Sequence, residues 1–281
     1  MDGRKRGVTE MNIPFVKMHG IGNDFILLKR QDFPDASQDQ KLAEMVCQRH
    51  FGIGADGMMV AEASEIADVK MLYYNADGSQ GEMCGNGIRC FAHYVLAEKL
   101  VPEKSVLRIQ TLLDIREVNI HRYEFSSSMV KVYMGKPVVR SLELPITVDG
   151  EIIQLADLTV GVPHTVLLEP ELEVHRVETL GPKIEKMAHF PRGTNVNFAR
   201  IHDRSNVSVM TWERGAGHTL ACGTGICSVC IVLYQKGMVE NRINVTAEGG
   251  QLTIEIDKDN GIYMTGPGQV IARGNYIGKG L

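Results

Sequence analysis

The chain has no hydrophobic run long enough to cross a membrane as a helix. Its longest apolar stretch, residues 226–234, has nine residues including Ser228, whereas a spanning helix needs about 20. An excess of one charge is also missing, because 30 Lys and Arg face 34 Asp and Glu, for a net charge of −4. No block of like charges occurs. We therefore expect neither a nucleic acid nor a membrane as a partner.

Several binding motifs are absent too. No GxxxxGK[ST] sequence is present, which excludes a P-loop. Gly20-Ile-Gly22 lacks the third glycine of a dinucleotide fingerprint. Cys227-Ser-Val-Cys230 has the Cys-x-x-Cys form, but no second pair stands at zinc spacing, so we expect no metal site.

The N-terminus lacks the features of a secretory signal. Residues 1–10 are basic and polar, and no apolar segment follows them. We expect these residues to be a disordered or non-native extension. Six cysteines then point to reduced thiols in a cytoplasmic protein rather than to a disulfide framework. They are Cys47, Cys84, Cys90, Cys222, Cys227 and Cys230.

The main feature that is present is a repeat. Cys84-Gly-Asn-Gly-Ile88 and Cys222-Gly-Thr-Gly-Ile226 share one pattern, and a polar residue, Asn75 or Glu213, stands nine positions before each cysteine. An alternating, strand-like run precedes each copy, and an apolar helical segment and a further strand follow it. The repeat predicts two domains, each with strand, glycine-rich loop, cysteine, helix and strand.

The expected boundaries follow from this repeat. We predict an N-terminal domain over residues 11–128, completed by residues 268–281, and a C-terminal domain over residues 129–267. Gly266-Pro-Gly268 is interpreted as a hinge-like turn from which the last strand returns. Helices are predicted at residues 39–51, ending at Gly52, and at residues 177–187; residues 146–155 and 158–168 are predicted as strands.

Two cysteines at helix starts suggest acid–base chemistry. An ordinary thiol is only about 3% ionised at pH 7, and a helix N-terminus lowers the pKa of a thiol there by about one unit. Two such thiols that face one pocket titrate as a pair, with one thiolate and one thiol. That pair supplies a base on one side of a carbon and an acid on the other, which can invert a stereocentre.

The same helix starts leave backbone N–H groups free to bind an anion. Gly85 and Asn86 in the first loop, and Gly223 and Thr224 in the second, could hold a substrate carboxylate. A purely structural interpretation is a tight strand-to-helix turn, but two copies favour function. The other four cysteines are expected to be buried and structural. Of the histidines beside glycine-rich turns, His164 is the first to test.

These motifs resemble those of the diaminopimelate epimerase family. The segments that carry the resemblance are Met18-His-Gly-Ile-Gly-Asn-Asp-Phe25, Asn75-Ala-Asp-Gly-Ser79, Cys84-Gly-Asn-Gly-Ile-Arg-Cys90, Glu213-Arg-Gly-Ala-Gly217 and Ala221-Cys-Gly-Thr-Gly225. The resemblance implies an α/β (α+β) fold of two pseudo-symmetric domains. Each is a strand-rich cone or barrel around a central helix, with the active site in the cleft between them. It also implies a cofactor-free epimerase of a small amino acid, LL- to meso-diaminopimelate, for lysine and peptidoglycan synthesis, and a homodimer.

The resemblance also assigns roles to residues. It makes Cys84 and Cys222 the catalytic acid–base pair and places His164 and Glu213 where they tune the thiols. Substrate binding falls to side chains and to the backbone of both loops. These binding residues are Asn23, Asn75, Gly85, Asn86, Asn195, Glu213, Arg214, Gly223 and Thr224.

Three departures from the family pattern bear on the substrate. Val162 stands where the family pattern Gly-Asn-Pro-His has an amide, His218 stands where Glu is usual, and residues 111–114 replace a glycine-containing turn. An unpaired polar substrate end costs about 1–3 kcal/mol. A cofactor-independent racemase of another amino acid, such as a basic amino acid or histidine, is therefore the first alternative. A redox-sensing or binding protein without catalysis is the second.

Overall fold

The structure, a computed structural model, describes residues 10–279. The predicted N-terminal extension lies outside the described residues, apart from Glu10, which begins the first strand. Contacts between Cα atoms divide the described chain into two compact units. The first unit comprises residues 10–20, 24–128 and 268–279, and the second comprises residues 21–23 and 129–267.

The described part of the first unit contains seven strands, the later part of the chain's last strand and two α-helices, together with short 3-10 helices at Arg30–Asp32 and Ala36–Gln38. In chain order the elements are β1 (Glu10–Gly20), β2 (Asn23–Lys29), α1 (Asp39–Cys47), β3 (Gly57–Glu62), β4 (Val69–Asn75), β5 (Gln80–Gly81), α2 (Gly85–Ala97), β6 (Val106–Gln110) and β7 (Ile115–Tyr123). Strands β2 and β3 are parallel, β3 and β4 antiparallel, β4 and β5 antiparallel, β4 and β6 parallel, and β6 and β7 antiparallel.

The second unit repeats this arrangement. After β8 (Ser127–Gly135), its elements are β9 (Val138–Val148), β10 (Glu151–Val160), β11 (Val162–Leu168), α3 (Val174–Glu185), β12 (Asn195–Asp203), β13 (Asn206–Glu213), β14 (Gly217–Thr219), α4 (Gly223–Gln235), β15 (Arg242–Ala247), β16 (Gly250–Ile256) and β17 (Ile262–Lys279). Strands β11 to β16 pair in the same parallel and antiparallel order as β2 to β7. The sequence repeat is therefore a repeat of topology.

Each unit is strand-rich and encloses one long apolar helix. Every residue of α2 from Gly85 to Leu96 is buried, and in α4 the buried stretch runs from Gly223 to Leu233, interrupted only by Thr224. A helix that is apolar on all sides is stable only when it is covered on all sides. The mixed α+β, two-domain class predicted from the sequence is thus confirmed.

The final strand differs from the prediction. The expected hinge-like turn at Gly266-Pro-Gly268 is wrong, because β17 runs unbroken from Ile262 to Lys279. Residues 262–265 pair with β16, and the stretch that begins at Gln269 pairs with β1. Proline is tolerated at Pro267 because it falls between these two ladders.

Shifted element ends and two turns inside predicted strands account for the other differences; one of these turns, at Gly161, divides the strand predicted at residues 158–168. Helix α1 ends at Cys47 rather than near Phe51, and the next residues form a tight loop in which the N–H groups of Ile53 and Gly54 donate to the carbonyl of Val46. Helix α3 begins three residues before the predicted start. The strand predicted at residues 146–155 is broken at Asp149 and Gly150, which have φ values of 52° and 85°, as a two-residue hairpin turn requires.

None of the helices in residues 10–279 combines the length and the apolarity that a membrane-spanning helix needs.

Candidate active site

The two cysteine loops have nearly the same backbone. Cys84 (φ −126°, ψ 119°) is the N-cap of α2, and Cys222 (φ −110°, ψ 108°) is the N-cap of α4. Their carbonyls accept the first helical hydrogen bonds, from Ile88 and Ile226, both at 2.9 Å. An extended N-cap places its side chain beside the free N–H groups of the first turn. The predicted position of both cysteines at helix starts is confirmed.

Strand register identifies which residues are equivalent in the two units. Met58 pairs with Tyr74 in the first unit, and Val196 pairs with Trp212 in the second. The next residues along, Met59 and Asn197, are therefore equivalent. The glycines of the loops agree with this alignment. A Cβ at Gly87 would lie 1.9 Å from Met59 Cε, and a Cβ at Gly225 would lie 2.1 Å from Asn197 Oδ1.

The Cys222 thiol lies in a buried, acidic environment. Burial raises the pKa of Cys222 well above its ordinary value, and the negative charge of Glu213 and a hydrogen bond to that carboxylate raise it further. Hydrogen bonds from Thr224 and Gly225 lower the pKa, but by less than burial and the charge of Glu213 raise it. The donors at the helix start thus act in the expected direction, but the expected net lowering of the pKa of Cys222 is wrong, because loss of solvent outweighs the helix terminus.

Glu213 is itself held in place. The hydroxyl of Thr219, on strand β14, donates to Glu213 Oε1 over 2.6 Å. Strand β14 pairs antiparallel with the end of β13, which brings residues 217–219 opposite residues 211–213. The carboxylate that acts on Cys222 is thus fixed by the hairpin that precedes the cysteine loop.

His164 belongs to a buried network in the same unit. The amide nitrogen of Asn197 donates to the Thr165 carbonyl (2.8 Å) and lies 3.3 Å from His164 Nδ1, while Asn197 Oδ1 accepts from Thr211 (3.1 Å). Burial, helped by the charge of Arg214, lowers the pKa of His164 to about 3. The ring is therefore neutral, and because Nδ1 accepts, the proton is on Nε2. That N–H has no partner among the described residues.

The Cys84 loop contains a buried cation instead. Gly87 N–H donates to Cys84 Sγ over 3.4 Å. Arg89, fully buried in the first turns of α2, donates to the carbonyl of Gly85 and to the side chain of Asn86. Arg89 is not among the residues predicted for the site. The available signal was a charged residue inside an otherwise apolar helix.

Two asparagines predicted to bind substrate have fixed side chains. Asn75 accepts from the Tyr73 hydroxyl (2.8 Å) and donates to Ser79 (3.0 Å). Asn195 donates to the Pro163 carbonyl and accepts from the backbone N–H of Arg214, both at 2.9 Å. Their amide orientations are therefore set by the protein. Asn197 was missed, although the period of two along β12 places it on the same face as Asn195.

The predicted site residues fall into two groups, each with one thiol. The first unit holds Asn75, Cys84, Gly85 and Asn86; the second holds Asn23, His164, Asn195, Glu213, Arg214, Cys222, Gly223 and Thr224. Asn23 belongs to the second group because residues Ile21–Asn23 make their contacts there.

Two of the departures are also placed by the structure. Val162 begins β11 directly after Gly161, a turn residue with φ 71°. His218 lies on β14, where its Nε2 is 2.5 Å from Glu248 Oε2. The His218 side chain is thus engaged by a carboxylate of the same unit.

The remaining cysteines are buried, as predicted. Cys47, Cys90, Cys227 and Cys230 are buried and form no disulfide. Burial raises the pKa of Cys47 and of Cys90 to about 12, and it raises that of Cys230 well above its ordinary value. Buried thiols of this kind stay protonated and behave as small apolar groups.

Comparison with known proteins identifies the family. The sequence profile of the diaminopimelate epimerase family matches residues 15–140 and 158–271. A diaminopimelate epimerase of Alkaliphilus metalliredigens is 44% identical, with 95% of this chain and 98% of the relative covered. One of Caldanaerobacter subterraneus is 43% identical, with 92% and 98% covered.

Solved structures support the fold at much lower identity. A hydroxyproline epimerase from Agrobacterium vitis superposes with a TM-score of 0.73 at 14% identity, covering 96% of this chain and 94% of that one. A PhzF-family phenazine biosynthesis protein from Bacillus anthracis gives a TM-score of 0.75 at 14% identity, covering 95% and 99%. At this identity the likeness concerns the fold alone. The profile match and the close relatives confirm the resemblance seen in the motifs, and the chain belongs to the diaminopimelate epimerase family.

Proposed function

We propose that this chain interconverts LL- and meso-diaminopimelate by moving the α-proton between Cys84 and Cys222. Membership of an epimerase family makes the chain an isomerase. The observation that carries the proposed mechanism is the pair of duplicated cysteine loops, each with its thiol at the N-cap of a buried helix. We propose that the domain of residues 11–128, completed by 268–281, supplies one of the two thiols and the domain of residues 129–267 the other.

The reaction requires one base and one acid on opposite faces of the α-carbon. A cysteine thiolate removes the α-proton, and the C–H bonding electrons move toward the substrate carboxylate. The thiol on the other face donates its proton to the carbon, which inverts the centre and leaves the second cysteine as thiolate. Both groups come from the chain, so we propose that no cofactor takes part. Backbone N–H groups at the two helix starts stabilise the charged carboxylate.

The environments of the thiols fit these roles. Burial and Glu213 favour the protonated form of Cys222, so Cys222 is the acid of the resting enzyme. Once it has lost its proton, the same surroundings make it a strong base for the reverse direction. Thr219 fixes Glu213 for this purpose. His164 is neutral and contributes an N–H donor rather than a positive charge.

The distant end of the substrate is assigned to polar groups outside the loops. Asn75, Asn195 and Arg214 match the positions that grip this end in the family. The hydrogen bonds of Asn75 and Asn195 fix their amides before substrate arrives, and such preorganisation reduces the entropy lost on binding. Arg214 offers a cation suited to a carboxylate. Asn23 completes the proposed set.

The family assignment also supports a cellular role. We propose that the enzyme acts in the cytoplasm, as a homodimer, in the synthesis of lysine and peptidoglycan precursors. Sedimentation of the purified chain tests the dimer directly, because a chain of 31.1 kDa would sediment as a species of twice that mass. A species at the single-chain mass over the whole concentration range would contradict it.

The substrate is tested with a panel. The purified protein is incubated with LL-diaminopimelate and, separately, with L-lysine, L-arginine, L-histidine and L-proline, and the products are separated by chiral chromatography. We expect the meso isomer from the first and no inversion of the others. Val162 and His218, which depart from the family pattern, favour a second candidate, a racemase of a basic amino acid or of histidine. Inversion of one of these with none of LL-diaminopimelate would establish it.

A further inference from the structure

Arg89 stands out because it buries a permanent charge beside the Cys84 loop. None of its side chain is exposed, and it heads the largest fully buried side chains. A guanidinium remains charged at all physiological pH values, and removing an ion from water costs several kcal/mol unless it is well paired. The mechanism described above gives Arg89 no role, so its position calls for an explanation.

Two hydrogen bonds of Arg89 end on residues of the proposed anion cradle. One terminal nitrogen donates to the carbonyl of Gly85 (3.0 Å), and the other donates to the side-chain oxygen of Asn86 (2.9 Å). Gly85 and Asn86 are the residues whose N–H groups form the proposed carboxylate cradle next to Cys84. The planar fork of the guanidinium therefore fixes the orientation of both residues.

Strands β1 and β17 pack closely against Arg89 and Asn86. A Cβ at Gly20 would lie 2.9 Å from a terminal nitrogen of Arg89 and 2.9 Å from the carbonyl oxygen of Asn86. A Cβ at Gly268 would lie 2.8 Å from the carbonyl oxygen of Arg89. Glycines at the end of β1 and in β17 thus let the backbone approach closely enough to hold the guanidinium in one place.

The second loop has no counterpart of Arg89. The equivalent position, five residues after the loop cysteine, is Cys227, which is buried and uncharged. The charge that acts on Cys222 is the negative one of Glu213. A positive charge is therefore built into one cysteine loop and a negative charge into the other.

We propose that Arg89 is a positioning residue that orients the Gly85–Asn86 cradle and, through its fixed positive charge, favours the thiolate form of Cys84. The part of this inference that concerns turnover rests on the proposed function. The part that concerns the thiol does not, because it is tested without substrate.

The test compares Arg89→Met with Cys227→Ser, its matched control in the second loop. Alkylation of each cysteine by iodoacetamide is followed from pH 5 to pH 10 by peptide mass spectrometry, with circular dichroism to check the fold. In Arg89→Met we expect alkylation of Cys84 at pH 7 to slow about tenfold and its half-maximal pH to rise by about one unit. Cys222 in the same variant, and Cys84 in Cys227→Ser, should react as in the parent.

Two further variants separate charge from geometry and guard against misfolding. Arg89→Lys keeps the charge but loses the fork, so we expect the half-maximal pH of Cys84 to stay near the parent value while epimerisation falls about tenfold or more. In Gly20→Ala the new methyl group displaces the guanidinium, so alkylation of Cys84 should again slow. This variant replaces Arg89→Met in the test if Arg89→Met does not fold. Unchanged alkylation of Cys84, or equal slowing of both cysteines, would overturn the proposal. Failure of the parent to epimerise diaminopimelate would refute the proposed function alone.

Discussion

The two cysteine loops share a backbone and differ in charge. Cys84 and Cys222 have similar dihedral angles and cap helices of equal length. Around Cys84 the protein places Arg89 and the apolar Met59, whereas around Cys222 it places Glu213 and the polar Asn197. The repeated scaffold supplies two like thiols, and we propose that the residues that differ around each thiol set its protonation.

That difference is what a two-base reaction needs. Two thiols with equal pKa values would share one proton without preference, whereas unequal surroundings assign the acid and the base. Variants of the two loops test this difference between Cys84 and Cys222, from the largest expected effect to the smallest.

The first prediction removes each thiol in turn. Cys84→Ser and Cys222→Ser should each lower the rate of epimerisation by about a thousandfold or more, because a serine hydroxyl is a far weaker acid than a thiol and supplies almost no anion to act as the base at neutral pH. Cys227→Ser is the control and should act through packing alone. Initial rates by chiral chromatography measure the effect. A serine variant at either loop that keeps a tenth of the parent rate would refute an essential role for that thiol.

The second prediction exploits the different residues packed on the two loop glycines. In Gly225→Ala the new methyl group would collide with the Asn197 amide, which three hydrogen bonds hold in place. In Gly87→Ala it would meet the flexible end of Met59. We expect a loss of unfolding free energy of about 3 kcal/mol for Gly225→Ala and about 1 kcal/mol for Gly87→Ala. Urea denaturation tests the order, and equal losses would contradict it.

The third prediction concerns His93, a buried residue of α2 whose equivalent in α4 is Ile231. Neither ring nitrogen has a hydrogen-bond partner among the described residues, and burial, with the charge of Arg273, lowers the pKa of His93 to about 4. His93 is therefore protonated below about pH 6.5 in the unfolded chain but only below about pH 4 in the folded chain. Stability present above pH 6.5 is lost as the pH falls toward 4.

His93→Ile should remove this contribution. The parent should lose about 2 kcal/mol more unfolding free energy than the variant between pH 7 and pH 5. His164, whose pKa is also lowered, contributes to both proteins and cancels in the difference. Urea denaturation at the two pH values gives the result, and parallel losses in both proteins would show that His93 has no such role.

The fourth and smallest prediction tests the acidic side of the comparison. Glu213→Gln removes the negative charge that raises the pKa of Cys222, so its thiolate should become more abundant. Modification of Cys222 by methyl methanethiosulfonate at pH 7 should then quicken about tenfold. Glu240→Gln, at an exposed ion pair with Arg204, is the control and should leave the rate unchanged. Slower modification of Cys222 in Glu213→Gln would show that Glu213 does not raise the pKa of this thiol.

Much of the fold was predictable because the pattern is local and duplicated. The repeat predicted both cysteines at helix starts, with a strand before each loop and another after each helix, since alternation and the glycine pattern are local features of the sequence. The prediction was wrong where contacts between distant parts of the chain determine the backbone conformation. The chain stays extended through Pro267 because neighbouring strands pair on either side of it. The Asp149-Gly150 pair, by contrast, is itself a local signal for a hairpin turn, and the predicted strand at residues 146–155 overlooked it.

The sequence suggested the residues of the proposed site but not their electrostatics. Motif spacing identified the cysteines and Glu213, but the pKa of Cys222 depends on how deeply the loop is buried, which no spacing reports. Asn197 was missed because its partners Thr165 and Thr211 lie on neighbouring strands, which the sequence does not pair. Arg89 was missed although Gly85 and Asn86, which accept its hydrogen bonds, lie in its own helix.

Isotope distribution at early conversion tests the central claim most directly. Unlabelled LL-diaminopimelate is incubated with the enzyme in D₂O, and both isomers are isolated when about a tenth has reacted. If the two thiols act from opposite faces, the meso product carries deuterium at the inverted carbon and the remaining LL substrate carries almost none. A meso product that retains the substrate's own proton would mean that one group performs both transfers, and the two-cysteine account would be wrong.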